Sequence, residues 1–251
     1  MSFKSKVVIV TGSSGGIGAA IAIAFAKEGA DVVVIGRNDE KLKNVKKQCE
    51  SYGHTPLVLK ADVSKDEDAK KIIADTIKKF GKLDILVNNA GILRMSSFVE
   101  GTFMSSYEEI HDTNLRAAAL LLQLATPHLI ASKGNVINIS SVAGRQLVNY
   151  QGTAYGMSKA AMDMLTIGAA LELGKYGVRV NTVSPGPVKT DIITNSVKEG
   201  DVAEEVTVKT VLNRWSEPEE IADLVLFIAS DKAKGITGSN FTSDNGYLVV
   251  K

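Results

Sequence analysis

The chain alternates short β-branched apolar runs with longer helical patterns, and this alternation constrains its fold more than any other feature. The runs cover residues 7–11, 31–36, 57–63, 85–88, 135–139, 178–183 and 238–242. They are continuously apolar rather than alternating, as expected of parallel strands that are covered on both faces. The alternation predicts a doubly wound α/β fold, with a parallel sheet of about seven strands and helices on both faces.

The helical patterns between the runs have recognisable ends. They cover residues 17–28, 40–52, 67–80, 107–130, 154–176 and 219–229. Ser64 and Asp66 are candidate caps of the third helix, and Pro218 lies near the start of the last. Four helices should stop at glycines, which are Gly29, Gly53, Gly81 and Gly177.

No linker or repeat divides the chain, so we predict one domain over residues 1–251. The irregular stretch at residues 187–216 follows a strand end and is predicted to be a substrate lid. The formal net charge is +1 with dispersed cations, which argues against a nucleic-acid or membrane-surface partner. No apolar run approaches the roughly 20 residues of a membrane span. Cys49 is the only cysteine, which favours a reducing compartment, so we expect a cytoplasmic protein.

A glycine-rich turn between the first strand and the first helix is the first candidate site. Glycines at this point let the backbone turn tightly and approach a pyrophosphate without a Cβ clash. The following helix offers free N–H groups and the positive end of its dipole. The candidate phosphate-binding residues are Gly12, Ser14, Gly16, Ile17 and Gly18.

The end of the second strand carries Arg37 where dinucleotide folds often carry an acidic residue for the ribose 2′-hydroxyl. An arginine fork suits a 2′-phosphate, and no neighbour is expected to repel that phosphate. The alternative is an ordinary solvated surface arginine. With Asn38 beside it, Arg37 predicts NADP(H) rather than NAD(H) as the cofactor.

Tyr155 and Lys159 are spaced i, i+4 on a predicted helix, so they share a face. Ser141 follows the preceding strand, at the sheet edge where open α/β sheets bind ligands. A nearby ammonium would lower the phenol pKa from its reference value near 10 towards neutrality. Taken alone, such a pair is more often a packed ring with a solvated lysine.

Together with Asn88-Asn89-Ala90-Gly91, Asp62-Val63, Asn114 and Pro185-Gly186-x-Val188-x-Thr190, these residues resemble the short-chain dehydrogenase/reductase family. The resemblance runs from Lys6 to Gly246 and implies a single Rossmann-type domain that usually assembles as a homotetramer. It implies no resident metal. It implies a catalytic set, which is Asn114, Ser141, Tyr155 and Lys159. It also implies further cofactor contacts, which are Asp62, Val63, Asn89, Ala90, Gly91, Pro185, Gly186, Val188 and Thr190.

In this reading Tyr155 is the general acid or base and Ser141 holds the substrate oxygen. Lys159 binds the nicotinamide ribose and depresses the Tyr155 pKa, while Asn114 anchors a water of a proton relay. Asp62 meets the adenine edge, and Val188 with Thr190 meets the carboxamide. The assignment of Ser141 rather than Ser140 rests on the Ser-Val-Ala-Gly alignment.

The predicted function is NADP(H)-dependent hydride transfer between the cofactor and a carbonyl or secondary alcohol. A non-catalytic NADPH-binding scaffold or sensor is the alternative. Substrate candidates are 3-oxoacyl thioesters, hydroxysteroids and small or xenobiotic ketones, although Lys133 and Lys175 are too few to mark an acidic acyl-carrier surface. Candidate pocket residues are Leu93, Arg94, Val142, Arg145, Leu147, Tyr150, Ile192, Ile193 and Trp215. Two arginines among apolar residues suit a bulky apolar ketone or a substrate with an anionic arm.

Overall fold

The computed structural model describes residues 2–147, 149–192, 196 and 209–250. Seven strands form one sheet in the order β3-β2-β1-β4-β5-β6-β7, and every neighbouring pair is parallel. The strands are β1 (Val7–Val10), β2 (Asp31–Gly36), β3 (Leu57–Lys60), β4 (Ile85–Asn88), β5 (Asn135–Ile139), β6 (Arg179–Pro185) and β7 (Asn240–Ser243). The predicted fold class is confirmed.

Helices cover both faces of the sheet. They are α1 (Gly16–Lys27), α2 (Asp39–Glu50), α3 (Asp66–Phe80), α4 (Phe103–His111), α5 (Ala117–Ser132), α6 (Thr153–Leu173) and α7 (Pro218–Ala229). One turn of π-helix, Asp112–Arg116, joins α4 to α5 into a continuous helix. The four predicted stop glycines all have positive φ, between 75° and 90°, which side-chain-bearing residues rarely adopt.

Each strand contributes to two cores because its side chains alternate between the faces of the sheet. In β1, Val8 and Val10 pack with α1, α2 and α7 on one face, whereas Val7 and Ile9 pack with α3, α5 and α6 on the other. Fully burying a residue of this size stabilises the fold by about 1.5–3 kcal/mol. This two-sided burial explains why the strand sequences are continuously apolar, and it fixes the carboxyl ends of the strands along one edge.

Two local predictions were wrong. The third strand ends at Lys60, three residues earlier than its apolar run. Neither Ser64 nor Asp66 caps α3, because Lys65 precedes the helix and the Ser64 hydroxyl instead donates to Asp62 Oδ1 at 2.8 Å.

Within the described residues, the continuous helix Phe103–Ser132 is long and apolar enough, by length and composition, to cross a membrane. Its α5 part lies against the sheet core through residues such as Leu121 and Leu129. Half of the predicted lid, residues 193–195 and 197–208, lies outside the described residues.

Candidate active site

A cavity of about 650 Å³ lies along the carboxyl edge of the sheet. Its walls are the turns that follow each of the strands β1 to β6, together with the first turns of α6. Ligands of doubly wound sheets bind at this edge, where the strand order reverses from one side of β1 to the other. The fold therefore brings sequence-distant segments to a single site.

The glycine-rich turn after β1 is built around close backbone contacts. A Cβ on Gly12 would lie 2.8 Å from Ala90 Cα, and one on Gly18 would lie 2.4 Å from Asn89 Nδ2. Gly12 and Gly16 also have positive φ, of 63° and 52°. No side chain caps the start of α1, so its first N–H groups face the cavity unpaired by a cap. This arrangement fits an anionic pyrophosphate.

Thr11, to which the sequence assigned no role, holds this turn to the loop after β4. Its Oγ1 accepts hydrogen bonds from the N–H groups of Asn89 and Ala90, both at 3.0 Å. In return Asn89 Nδ2 donates to the carbonyls of Thr11 and Gly12, at 2.9 and 3.2 Å. Asn89 therefore shapes the cavity wall through the backbone, and its amide nitrogen is already engaged.

The end of β2 carries an exposed Arg37 at the cavity wall. Contrary to the expectation that nothing there would repel a phosphate, Asp62 Oδ2 lies 4.0 Å from Arg37 Nη1. Partial burial favours a higher pKa of Asp62, but hydrogen bonds from Ser64 and the charge of Arg37 hold this pKa below its usual value. Asn38 is not among the described residues that line the cavity, because its Oδ1 caps α2 by accepting from Lys41 N at 3.0 Å.

The strongest constellation of the sequence converges on the middle of the cavity. Tyr155 is hydrogen-bonded to Ser141, and Lys159 Nζ lies 5.5 Å from the centre of the Tyr155 ring. Ser141 Oγ also accepts from Ala143 N at 3.1 Å. The neighbouring Ser140 is buried and donates to the Lys159 carbonyl at 3.0 Å, so it supports α6 while Ser141 faces Tyr155.

The predicted depression of the Tyr155 pKa is wrong for the chain by itself. Burial raises the pKa of Tyr155 to about 12, although the hydrogen bond with Ser141 partly offsets this. Burial also lowers the pKa of Lys159 to about 8. Lys159 Nζ donates to the Ile139 carbonyl at 2.8 Å rather than to the phenol. The loss of hydration outweighs the charge effect that spacing alone suggested.

Asn114 lies in the π-helical turn and is fully buried. Its Oδ1 accepts from Ile92 N at 2.8 Å, and its Nδ2 donates to Ile92 O at 3.0 Å and to Ser158 Oγ at 3.2 Å. A Cβ on Gly91 would lie 3.4 Å from Asn114 Oδ1 and 3.6 Å from Lys159 Nζ. Asn114 therefore locks the loop after β4 beside Lys159, and π turns of this kind are frequent at functional sites.

The remaining predicted residues divide between the cavity and its surroundings. The cavity lining includes these predicted residues: Ser14, Ile17, Val63, Pro185, Gly186, Val188, Thr190, Leu93, Arg94, Val142, Leu147, Ile192 and Trp215. Arg145 and Tyr150 are not among the described lining residues, because Arg145 donates to Thr242 Oγ1 at 3.1 Å and Tyr150 points to solvent. Ile193 lies outside the described residues.

Some lining residues were missed by the sequence analysis. They include Lys41, Met95, Asn149, Asp191 and Tyr247, which stand in turns or on helix faces that carry no motif. Arg94 is engaged by Glu109 through two contacts of 3.0 and 2.8 Å, so the predicted use of this arginine for an anionic arm loses support. Among the described residues, no three His, Cys, Asp or Glu side chains are grouped as around a metal ion.

The glycine cradle, the uncapped α1 and the continuous cavity fit a dinucleotide, which defines a dinucleotide-binding protein of the Rossmann type. A family model described as enoyl-(acyl carrier protein) reductase matches residues 12–248. The chain is 35% identical to L-fucose dehydrogenase of Bos taurus over 254 residues, with 97% of this chain and 90% of that protein covered. It is 32% identical to L-rhamnose 1-dehydrogenase (NAD(P)(+)) of Sphingomonas sp. (strain SKA58), with 98% and 97% covered.

One similar solved structure is that of a cofactor complex. The short chain dehydrogenase of Burkholderia cenocepacia J2315, in complex with NADP, matches with a TM-score of 0.90 at 30% identity. The match covers 99% of this chain and 100% of that one. The chain belongs to the short-chain dehydrogenase/reductase family, whose members are oxidoreductases.

Proposed function

We propose that this protein is an NADP(H)-dependent oxidoreductase that interconverts a carbonyl and a secondary alcohol, with Tyr155 as general acid or base. The observation that carries the proposal is the meeting of Tyr155, Ser141 and Lys159 in one cavity that continues to the glycine turn. The bound nicotinamide supplies or accepts the hydride. The chain's own residues hold the substrate oxygen and move its proton.

The proton chemistry follows from the protonation states of these groups. With a pKa of about 12, the Tyr155 phenol holds its proton at neutral pH and is ready to donate it to an oxygen that gains negative charge. Ser141 is placed to hydrogen-bond that same oxygen and fix its position. The Lys159 ammonium then stabilises the phenolate left behind, and Asn114 is proposed to anchor the water that returns the proton.

The preference for NADP(H) rests on Arg37 at the end of β2. Its guanidinium lines the cavity beside Ser14, whose Cβ lies only 2.8 Å from where a Gly36 Cβ would stand. Asp62, 4.0 Å away, is a negative neighbour that opposes binding of the 2′-phosphate. One similar structure is in complex with NADP, and one relative is named for NAD(P)(+), which supports a phosphorylated cofactor without deciding the preference.

For the substrate, we propose a secondary alcohol or ketone with an apolar body. The described residues at the substrate end are mostly apolar: Leu93, Met95, Val142, Leu147, Ile192 and Trp215. Two of the polar side chains there have partners within the chain, since Arg94 pairs with Glu109 and Asn149 Oδ1 accepts from Gly152 N at 3.2 Å. A deoxy sugar is the second candidate, because two relatives are named as L-fucose and L-rhamnose dehydrogenases.

A non-catalytic cofactor-binding scaffold is the alternative function. It requires NADPH binding without turnover on any carbonyl or alcohol. Its support is weaker, because Asn114, Ser141, Tyr155 and Lys159 are all present, and the last three meet in the cavity.

Replacing Tyr155 by Phe tests the catalytic role. Y155F should lower kcat by roughly 10²–10⁴-fold, because it removes the transferable proton and keeps the ring. The dissociation constant of NADPH should change less than threefold. Y150F is the matched control, since Tyr150 is exposed outside the cavity lining, and it should retain full turnover. Retained activity in Y155F would contradict the assignment of Tyr155 as general acid or base. If the unaltered chain turns over none of the substrates, the non-catalytic scaffold is favoured.

A substrate panel separates the two substrate classes. Oxidation of L-fucose and L-rhamnose with NADP⁺ should be compared with that of apolar secondary alcohols, and reduction of the matching ketones should be followed with NADPH. We expect kcat/KM to be at least tenfold higher for the apolar substrates, because the described pocket offers few free partners for sugar hydroxyls. The opposite ranking would assign the protein to sugar oxidation.

We also propose that the chain acts as a homotetramer in the cytoplasm. The assembly rests on the family resemblance and on apolar side chains that α6 exposes. The compartment rests on Cys49, which is buried and unpaired, and whose thiol pKa burial raises to about 11.

A further inference from the structure

An ion pair that has no part in the proposed chemistry bridges the cofactor cavity. Lys41 lies in the first turn of α2, and Asp191 follows β6, 150 residues further along the chain. Lys41 Nζ lies 2.5 Å from Asp191 Oδ2, and both residues line the cavity. Exposed pairs of this kind contribute little to folding stability. Its position across the binding cleft is therefore its notable property.

Lys41 belongs to the same end of the cavity as the proposed phosphate-binding residues. It stands four residues after Arg37, and its N–H is fixed by the Asn38 cap at 3.0 Å. Arg37 and Ser14 line this end with it. A 2′-phosphate carries close to two negative charges, whereas Arg37 supplies one positive charge and already faces Asp62 at 4.0 Å. Arg37 alone therefore leaves part of that charge unbalanced, and a second cation would reduce the imbalance.

We propose that Lys41 is this second cation, and that Asp191 is its counter-ion in the chain without cofactor. The proposal rests on the NADP(H) dependence argued above. Lys41 exchanges a carboxylate of one negative charge for a phosphate of nearly two, which favours the exchange electrostatically. Because Asp191 competes for the same ammonium, it weakens the binding of NADP(H). It should leave NAD(H) binding nearly unchanged, because NAD(H) lacks the 2′-phosphate and carries only the pyrophosphate that the glycine turn is proposed to bind.

The alternative is a bridge that only narrows the cavity. Such a bridge would have to open for either cofactor, so its removal would change NADPH and NADH affinity by the same factor. Cofactor discrimination therefore separates the two roles, and affinity for one cofactor alone does not.

The chain contains a matched control pair. Lys60 and Asp39 also lie 2.5 Å apart, with side chains exposed to a similar extent as those of Lys41 and Asp191. Neither is among the described residues that line the cofactor cavity. D39N removes a negative charge two residues from Arg37, so it also measures how far a general change of local charge alters phosphate binding.

The experiment is a titration of NADPH and NADH by fluorescence at low ionic strength, with the intact protein and no substrate. K41Q should raise the dissociation constant of NADPH about tenfold and change that of NADH less than twofold. D191N should tighten NADPH binding about threefold with no change for NADH. The double variant should match K41Q alone, since Asp191 no longer has an ammonium to hold. K60Q should leave both constants within twofold.

Several outcomes would overturn the inference. Equal shifts for both cofactors in K41Q or D191N would indicate a bridge that only narrows the cleft. A D39N effect as large as that of D191N would indicate general electrostatics. R37A separates the two levels of the argument. If the unaltered protein binds NADH as tightly as NADPH, and R37A does not change the ratio of the two dissociation constants, the NADP(H) proposal fails together with the role of Lys41. If R37A removes an existing NADPH preference and K41Q does not reduce it, only the role of Lys41 fails.

Discussion

At the scale of single residues, burial decides the behaviour of the groups that carry the chemistry. Lys159 is only 3% exposed and has one hydrogen-bond acceptor among the described contacts, the Ile139 carbonyl. Its pKa falls to about 8, and that of Tyr155 rises to about 12. Both shifts favour neutral forms, so the chain alone keeps a protonated phenol beside an ammonium that is easily lost. Such strongly shifted groups are typical of functional sites.

The Lys159 shift makes a specific prediction for stability. Because the pKa is about 8 in the folded chain and near 10.5 when unperturbed, the unfolded state binds more protons between these values. The cost of the buried charge is fully present below pH 8 and is relieved as pH rises towards 10.5. K159M lacks this cost, so its free energy of unfolding relative to wild type should fall by about 2–3 kcal/mol from pH 7 to pH 10.

Urea denaturation of K159M and wild type at these two pH values measures the difference between their free energies of unfolding. K47M, at an exposed position of α2, serves as the control and should keep a constant difference from wild type. A K159M difference that is equally constant would show that Lys159 does not titrate within this window.

At the scale of elements, the first strand, turn and helix form a unit in which one glycine has space for a Cβ atom and another has none. A Cβ on Gly18 would meet Asn89 Nδ2 and the Gly12 carbonyl, both at 2.4 Å, whereas a Cβ on Gly15 would meet nothing within 4 Å. G18A should therefore destabilise the fold by about 1–3 kcal/mol and weaken NADPH binding, because the Asn89 side chain that holds the turn must move. G15A should change stability by much less. Thermal unfolding and NADPH titration test the pair, and equal effects would contradict the close packing.

The same unit shows what can be predicted from sequence. Gly12, Gly16 and Gly18 were predictable because a strand, a glycine turn and a helix are contiguous and follow local rules. The partners that tighten the turn, Thr11 and Asn89, follow different strands, and only the sheet brings them together. For the same reason Arg37 and Asp62 were each predicted as cofactor contacts, but their closeness to one another was not.

Errors of element length have a similar origin. The run after Leu57 reads as a strand to Val63, but the pairing of β3 with β2 ends at Lys60, opposite Gly36, and only tertiary pairing sets that limit. The Tyr155 pKa was mispredicted because spacing along a helix reports a charge and does not report the loss of hydration around it. Motif spacing thus predicted which residues would meet, whereas their energetics required the packed structure.

At the scale of the whole molecule, α6 carries a stripe of exposed apolar side chains. The stripe consists of Met157, Met164, Ile167 and Leu171, with exposures of 44, 66, 43 and 80%. Three of them repeat every seven residues, so they lie on one side of the helix, away from the face that packs on the sheet. A chain that exposes such a stripe gains by covering it with another copy of itself.

Charge placed on this stripe should therefore disrupt the proposed tetramer. M164E/L171E should shift sedimentation from a tetramer towards smaller species, because two carboxylates would have to be buried or would repel their copies. V99E is the control, since Val99 is 97% exposed in the loop before α4 and not on α6. The monomeric fold should persist in the double variant, which far-UV circular dichroism can check. A wild-type chain that sediments as a monomer, or a tetramer unchanged in M164E/L171E, would show that copies of the chain do not associate through α6.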